Sequence, residues 1–348
     1  MLGGARTSPQ RRGDRRLRAI GRGVRAILPL WAALFASLCL ATSAGAADRI
    51  RIAAQKTGTL AWELEIIRSH GLDKAANLDI QVVELASTEA GRIALASGSV
   101  DLIVSDWLWV ARERSLGAKL VYYPYSSTLG AVMTPAASGI AGIADLKGRK
   151  LAIAGGPLDK SWLMLQALAR RGGLDLKNQA KLVYGAPPLL SEKAVQGEHE
   201  ATLTYWNFCA ELEAKGFKRA IDMEMVEKQL GAGGPVALLG YAFDADWAAK
   251  NKSAVDRFLE TAAKAKDILA GSEAEWQRLA PRIGVSDKAA LEILRKRYGE
   301  GIPRRPVADE ARDSRALYLV LAEIGGATLV GTAREMDKGT FYDPGKTD

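Results

Sequence analysis

Residues 101–109, Asp-Leu-Ile-Val-Ser-Asp-Trp-Leu-Trp, place an acid, a hydroxyl and two indoles directly behind a short apolar run. An apolar run that stops at polar residues reads as a buried strand handing a loop to a helix, and open α/β sheets bind ligands at that carboxyl edge. Three other stretches have the same form: Gln55–Trp62, Gly155–Trp162 and Thr204–Trp206. Asp106 and Asp159 have two chemistries open to them, pairing a cationic ligand group or accepting backbone N–H bonds as helix caps. Lys56 and Lys160 stand beside expected helix N-termini, where an anion is also favoured. Thr57, Ser105, Ser161 and Thr204 offer hydrogen bonds to a small polar ligand. Trp62, Trp107, Trp162 and Trp206 each offer a flat face and one donor. A core position at a helix start fits any of them as well, Trp109 most of all.

Catalytic residue types are scarce beyond the first 46 residues. That part of the chain holds His70, His199 and the single Cys209, and no Gly-x-Ser-x-Gly. Both histidines fall away from the four loops and read as surface residues, and Cys209 as a small core residue. No metal ligand set and no cofactor motif is expected. Gly231–Pro235 is glycine-rich but precedes a strand, which makes it a poor phosphate loop.

The elements that would position these residues alternate strand and helix. Strands are predicted at Arg49–Ala54, Ile80–Leu85, Val100–Val104, Leu120–Tyr125, Leu151–Ala154, Lys181–Tyr184, Ala201–Thr204 and Val236–Tyr241. Helices are predicted between them, for instance over Asp106–Leu116, Ser161–Arg171 and Tyr205–Lys215. That grammar implies α/β architecture with mostly parallel sheets flanked by helices. After Tyr241 the pattern turns helical, with Val255, Phe258, Leu259, Ala262 and Leu269 on one stripe and Pro281, Pro303 and Pro306 as breaks.

The chain also repeats itself. Gly98–Trp107 aligns with Gly197–Trp206 without a gap, matching Asp101 to Glu200, Ser105 to Thr204 and Trp107 to Trp206. Two related lobes follow, with Ser105 and Trp107 facing Thr204 and Trp206. Tyr205 stands where the first copy has Asp106, and this asymmetry points to a solute with a cationic or hydrogen-bond-donating end.

Residues 1–46 read as a secretory signal peptide: an arginine-rich start, an apolar Ala26–Leu40, then Ala44-Gly45-Ala46. They carry eight arginines and one aspartate, hence seven of the chain's eight net positive charges. What remains is nearly neutral and gives no support for nucleic-acid binding.

Taken together, Gly71-Leu72-Asp73, Ile93–Val104, Ile143–Leu151 and Asp246–Leu259 resemble segments of the periplasmic solute-binding proteins of the nitrate/sulfonate/taurine importers, the NitT/TauT and SsuA-like family. The proline usual before the second of that family's C-terminal helices is absent from Asn251-Lys252-Ser253. The resemblance implies a two-lobed type II, Venus-flytrap fold that closes on its ligand by hinge motion. Lobe one would comprise 48–127 plus 243–348 and lobe two 130–240, with hinges near 128–132 and 240–243. It further implies a monomeric periplasmic receptor that takes a small organic solute to an ABC permease. A lyase or dehydratase on the same fold and a periplasmic sensor subunit remain open as alternatives.

Overall fold

A computed structural model describes residues 46–345 apart from Thr57; the predicted signal peptide and Thr57 lie outside the described residues. The first lobe opens with β1 (Asp48–Ala54), α1 (Thr59–Ser69), the short α2 (Leu72–Ala75), β2 (Leu78–Glu84), α3 (Thr88–Ala96), β3 (Leu102–Asp106), α4 (Trp107–Ser115) and β4 (Leu120–Ser126). The second follows with β5 (Ala131–Pro135), β6 (Lys150–Ala154), α5 (Lys160–Arg171), α6 (Leu176–Gln179), β7 (Lys181–Gly185), α7 (Pro187–Val195), β8 (Ala201–Thr204), α8 (Trp206–Ala214), β9 (Phe217–Asp222) and α9 (Met223–Leu230). Then come β10 (Leu239–Asp244), α10 (Ala245–Lys250), α11 (Lys252–Gly271), α12 (Glu273–Ile283), α13 (Lys288–Glu300) and α14 (Val307–Val330).

Two five-stranded sheets result, ordered β2-β1-β3-β10-β4 and β7-β6-β8-β5-β9. Four strands of each run the same way, and one, β10 or β5, is inserted antiparallel. The topologies are identical, and the sequence repeat has a physical counterpart in them. Asp101 accepts the backbone N–H of Arg51 on the neighbouring strand at 2.8 Å, and Glu200 does the same for Lys150 at 2.8 Å. Gly98 and Gly197 both take left-handed φ, +69° and +77°, in the turn that feeds the third strand of each lobe.

Two chain crossings join the sheets, over 127–130 and 231–238. The second differs from the sequence expectation of a strand at Val236–Tyr241. The N–H groups of Gly233, Val236 and Ala237 are taken by the carboxylates of Asp313, Glu227 and Glu310 at 3.0, 3.3 and 2.9 Å. A backbone donor held by a side chain is not free for a ladder, so pairing starts only at Leu239. Residues 240–243, expected as a hinge, are therefore paired strand. Strand β5 and the β9–α9 unit carry too mixed a pattern to stand out in sequence. Pro281, expected as a break, falls inside α12, two residues before its end at Ile283.

Gly130 marks the first crossing. A Cβ there would lie 1.6 Å from the carbonyl oxygen of Thr204. Gly130→Ala is therefore expected to lower stability by about 1–3 kcal/mol through overpacking, read as a lower thermal midpoint; an unchanged midpoint would contradict it.

The helices seal the lobes. The predicted stripe of α11 is buried in full and packs with Trp62 and Ile66 of α1. Leu317, Tyr318 and Leu321 of α14 share one cluster with Trp107 and Val110 of lobe one and Trp162 and Leu163 of lobe two. Each such buried side chain contributes about 1.5–3 kcal/mol, so the last helix binds both lobes. Among the described residues no helix is long and apolar enough to cross a membrane.

Candidate functional site

Asp106 ends β3, and its side chain does three things at once. One oxygen caps α4 by accepting the N–H of Trp109 at 2.9 Å. The other meets the guanidinium of Arg92 at 3.1 Å and the ammonium of Lys160 at 3.2 Å. Lys160 opens α5 in the second lobe, so this ion pair spans the two lobes. Arg92 comes from α3, whose start is fixed by Ser87 accepting the N–H of Ala90. Arg92 also donates to the buried Ser105 hydroxyl at 3.1 Å and lies 4.8 Å from the ring centre of Trp109.

Burial pushes the Asp106 carboxyl upward, but Lys160 and Arg92 outweigh it and hold the group below the usual carboxylate range. Two cations thus share the Asp106 carboxylate, and Arg92 also lies 4.0 Å from the exposed carboxylate of Glu89. The Arg92 and Lys160 side chains remain 24% and 28% exposed, which leaves donors free for a further acceptor. The protein itself thus supplies cationic partners for Asp106, the residue from which a cationic or hydrogen-bond-donating solute end was expected.

Across the cleft Asp159 caps α5, accepting the N–H of Trp162 at 3.0 Å. Burial raises its carboxyl to about 6. Tyr205 stands beside it, 39% exposed. Its hydroxyl lies so near Gly155 that a Cβ there would meet it at 2.3 Å. Burial and the Asp159 charge push the Tyr205 phenol to about 12, so it stays a neutral donor.

The remaining expected residues divide. Lys56 is exposed on the turn before α1. Ser161 and Thr204 are buried, the latter with no partner for its hydroxyl. Trp107 and Trp162 are 0% and 1% exposed within the large core cluster, and so they pack the lobes instead of presenting a face to a ligand. Trp109, expected as the core residue of its pair, is the half-buried one under Arg92. Trp62 is buried and meets Trp206 and Trp276 edge-on at 6.2 and 5.7 Å. Trp206 therefore faces Trp62, not Trp107. Its other neighbour is Tyr298 of α13, at 6.3 Å. His199, expected at the surface, is 4% exposed with neither ring nitrogen partnered.

Arg92 was missed because nothing distinguishes it from any other arginine on the polar side of a helix. Lys266 and Tyr298 were missed because they come from C-terminal helices read only for their packing stripes. In each case the ring of Trp109 or Trp206 beside it was the nearest sequence signal.

Two α/β lobes of identical topology, joined by two crossings, define a two-lobed periplasmic-binding-protein fold. The match of residues 68–273 to the NMT1/THI5-like family model makes the chain a member of that family. No curated protein matches it. Among solved structures it is similar to the periplasmic aliphatic sulphonate binding protein SsuA from Escherichia coli, at 21% identity and TM-score 0.66, covering 86% of this chain and 96% of that one. It is also similar to the alkanesulfonate-binding protein SsuA from Xanthomonas axonopodis pv. citri bound to MOPS, at 19% identity and TM-score 0.61, over 85% and 98% of the two chains. The desulfurization enzyme DszB matches at 14% identity and TM-score 0.54, over 80% and 92%.

Proposed function

We propose that the protein is an extracytoplasmic receptor that captures a small organic anion between its lobes and passes it to an ABC permease. One observation carries the reading: Arg92 and Lys160, from opposite lobes, converge on the single carboxylate of Asp106. An anion entering there satisfies the excess cationic donors of both lobes at once, so it binds the closed state better than the open one, and no other driving force for closure is needed. The similar sulphonate and alkanesulfonate receptors support an aliphatic sulfonate as the first solute class to test. Export by residues 1–46 and release into the periplasm complete the proposal.

The fold is shared with a desulfurization enzyme, so chemistry has to be weighed at this site. A general base needs a carboxylate able to hold a proton near neutral pH. Asp106 is held in the opposite direction, and Asp159, raised to about 6, has its carboxylate engaged as the cap of α5 at Trp162, which favours binding over turnover.

The test is a thermal-shift panel of alkanesulfonates, carboxylates and the corresponding amines. A binder raises the midpoint by mass action. Anions should raise it and amines should not; a response to amines alone would overturn the proposal.

Asp159 adds a pH dependence. Its folded pKa of about 6 lies above the ordinary 3.8. Its favourable contribution is thus full below 3.8 and is lost as pH rises through 6. Over the same interval the cleft gains a negative charge. Affinity for an anion should therefore be several-fold higher at pH 5 than at pH 7.5, a ratio that Asp159→Asn abolishes while keeping the cap. Calorimetric titration at the two pH values checks it, and an equal ratio in both proteins would contradict the assignment.

A further inference from the structure

The cleft has a second polar end, built from helices that follow β10. Lys266 of α11 and Tyr298 of α13 line a small pocket together with Thr59, Ser126 and Trp206, residues that stand at or just beyond the ends of β1, β4 and β8. The pocket has room for about one water-sized group. Lys266 is 6% exposed; its ammonium pairs with Glu63 and stands 3.8 Å from the ring centre of Tyr125. An ammonium has three donors, so one remains for the pocket. Tyr298 is also 6% exposed, and its buried hydroxyl has no partner. A burial of that kind is unfavourable unless something supplies the missing bond. Two donors thus wait on one small acceptor.

The sheet register fixes where this pocket lies relative to Arg92 and Lys160. Leu239 pairs with Asp106 on one side and with Ser126 on the other. Asp106 and Ser126 are therefore two strand spacings apart, on the order of 10 Å. Leu239 stands between them, 40% exposed and apolar. The row reads polar, apolar, polar.

We propose that the solute is an α,ω-bifunctional organic anion, with its anionic group at Arg92 and Lys160, an aliphatic middle over Leu239, and a terminal hydroxyl or carbonyl oxygen held by Lys266 and Tyr298. The inference rests on the anion-receptor reading above and adds a second, specificity-determining subsite to it.

The test titrates n-alkanesulfonates, ω-hydroxyalkanesulfonates and ω-aminoalkanesulfonates of increasing chain length into the wild-type protein and Tyr298→Phe. One hydroxylated length, with ends on the order of 10 Å apart, should bind about tenfold more tightly than its parent alkanesulfonate, the effect of one charge-assisted hydrogen bond. The amine of that length should gain nothing, because Lys266 repels it. In Tyr298→Phe the ratio of hydroxylated to parent affinity, taken within the variant, should shrink toward one. Equal affinities at every length would mean that the pocket holds only a water, and would overturn the inference while leaving the receptor reading intact. An equal gain for the amine would overturn it without recourse to the variant. If no anion of any kind binds, the receptor reading fails and takes this inference with it.

Discussion

Arg92→Met should weaken binding of an anionic solute by about a hundredfold, and Asp106→Asn should not. Removing Arg92 leaves Asp106 paired with Lys160 alone, so a bound anion loses one of its two cationic partners. Truncating one partner of a buried, hydrogen-bonded charge pair costs about 2–5 kcal/mol, and each 1.4 kcal/mol is tenfold in affinity. Asp106→Asn keeps an oxygen to cap α4 at Trp109 but frees both cations, so anion affinity should hold or rise. Lys160→Met should match Arg92→Met in affinity, with most of the loss in faster dissociation, because it also removes the bond between the lobes. Calorimetry and stopped-flow fluorescence read these outcomes. The opposite order, with Asp106→Asn losing binding and Arg92→Met retaining it, would mean that the cleft selects a cation.

The largest effect on stability should come from Lys266→Met. Glu63 is fully buried in α1; one of its oxygens accepts from the Tyr241 hydroxyl and the other pairs with Lys266. Breaking a buried pair by removing one partner costs about 3–5 kcal/mol, because the other charge is left uncompensated. Burial already pushes the Lys266 ammonium down, against the pull of Glu63. The thermal midpoint should fall on the order of 10 °C. The double change Glu63→Gln with Lys266→Met should recover most of that loss, since two neutral side chains of similar volume carry no stranded charge. A drop of 1–2 °C for the single variant, or no recovery in the double, would contradict this account of the network.

The lobes were readable because their signals are local. A short apolar strand with a left-handed glycine and an acid just before it repeats in both halves, and Asp101 and Glu200 accept equivalent backbone N–H groups, those of Arg51 and Lys150. The inserted strands were harder. Strand β5 takes its partners from residues far along the chain, and β10 starts late because three distant carboxylates hold the N–H groups before it. The site was legible only where it coincides with strand ends. Asp106, Lys160 and Tyr205 lie there, and the structure brings them to the seam. Trp107 and Trp162 lie there too, but helix geometry turns both indoles into the core. Arg92, Lys266 and Tyr298 reach the cleft from helix faces, and no spacing rule says which residue of a helix face meets a sheet edge, even for Arg92, 14 residues before Asp106.

Capture of an anion between the lobes is tested most directly by loading the protein with the tightest-binding anion from the panel, isolating the complex, releasing the ligand by denaturation, and measuring its identity and amount. One molecule per chain, chemically unchanged, bound by the wild-type protein and lost in Arg92→Met, is the outcome predicted. Recovery of a converted product, or of an unchanged ligand held equally well by Arg92→Met, would contradict capture of an anion between the lobes.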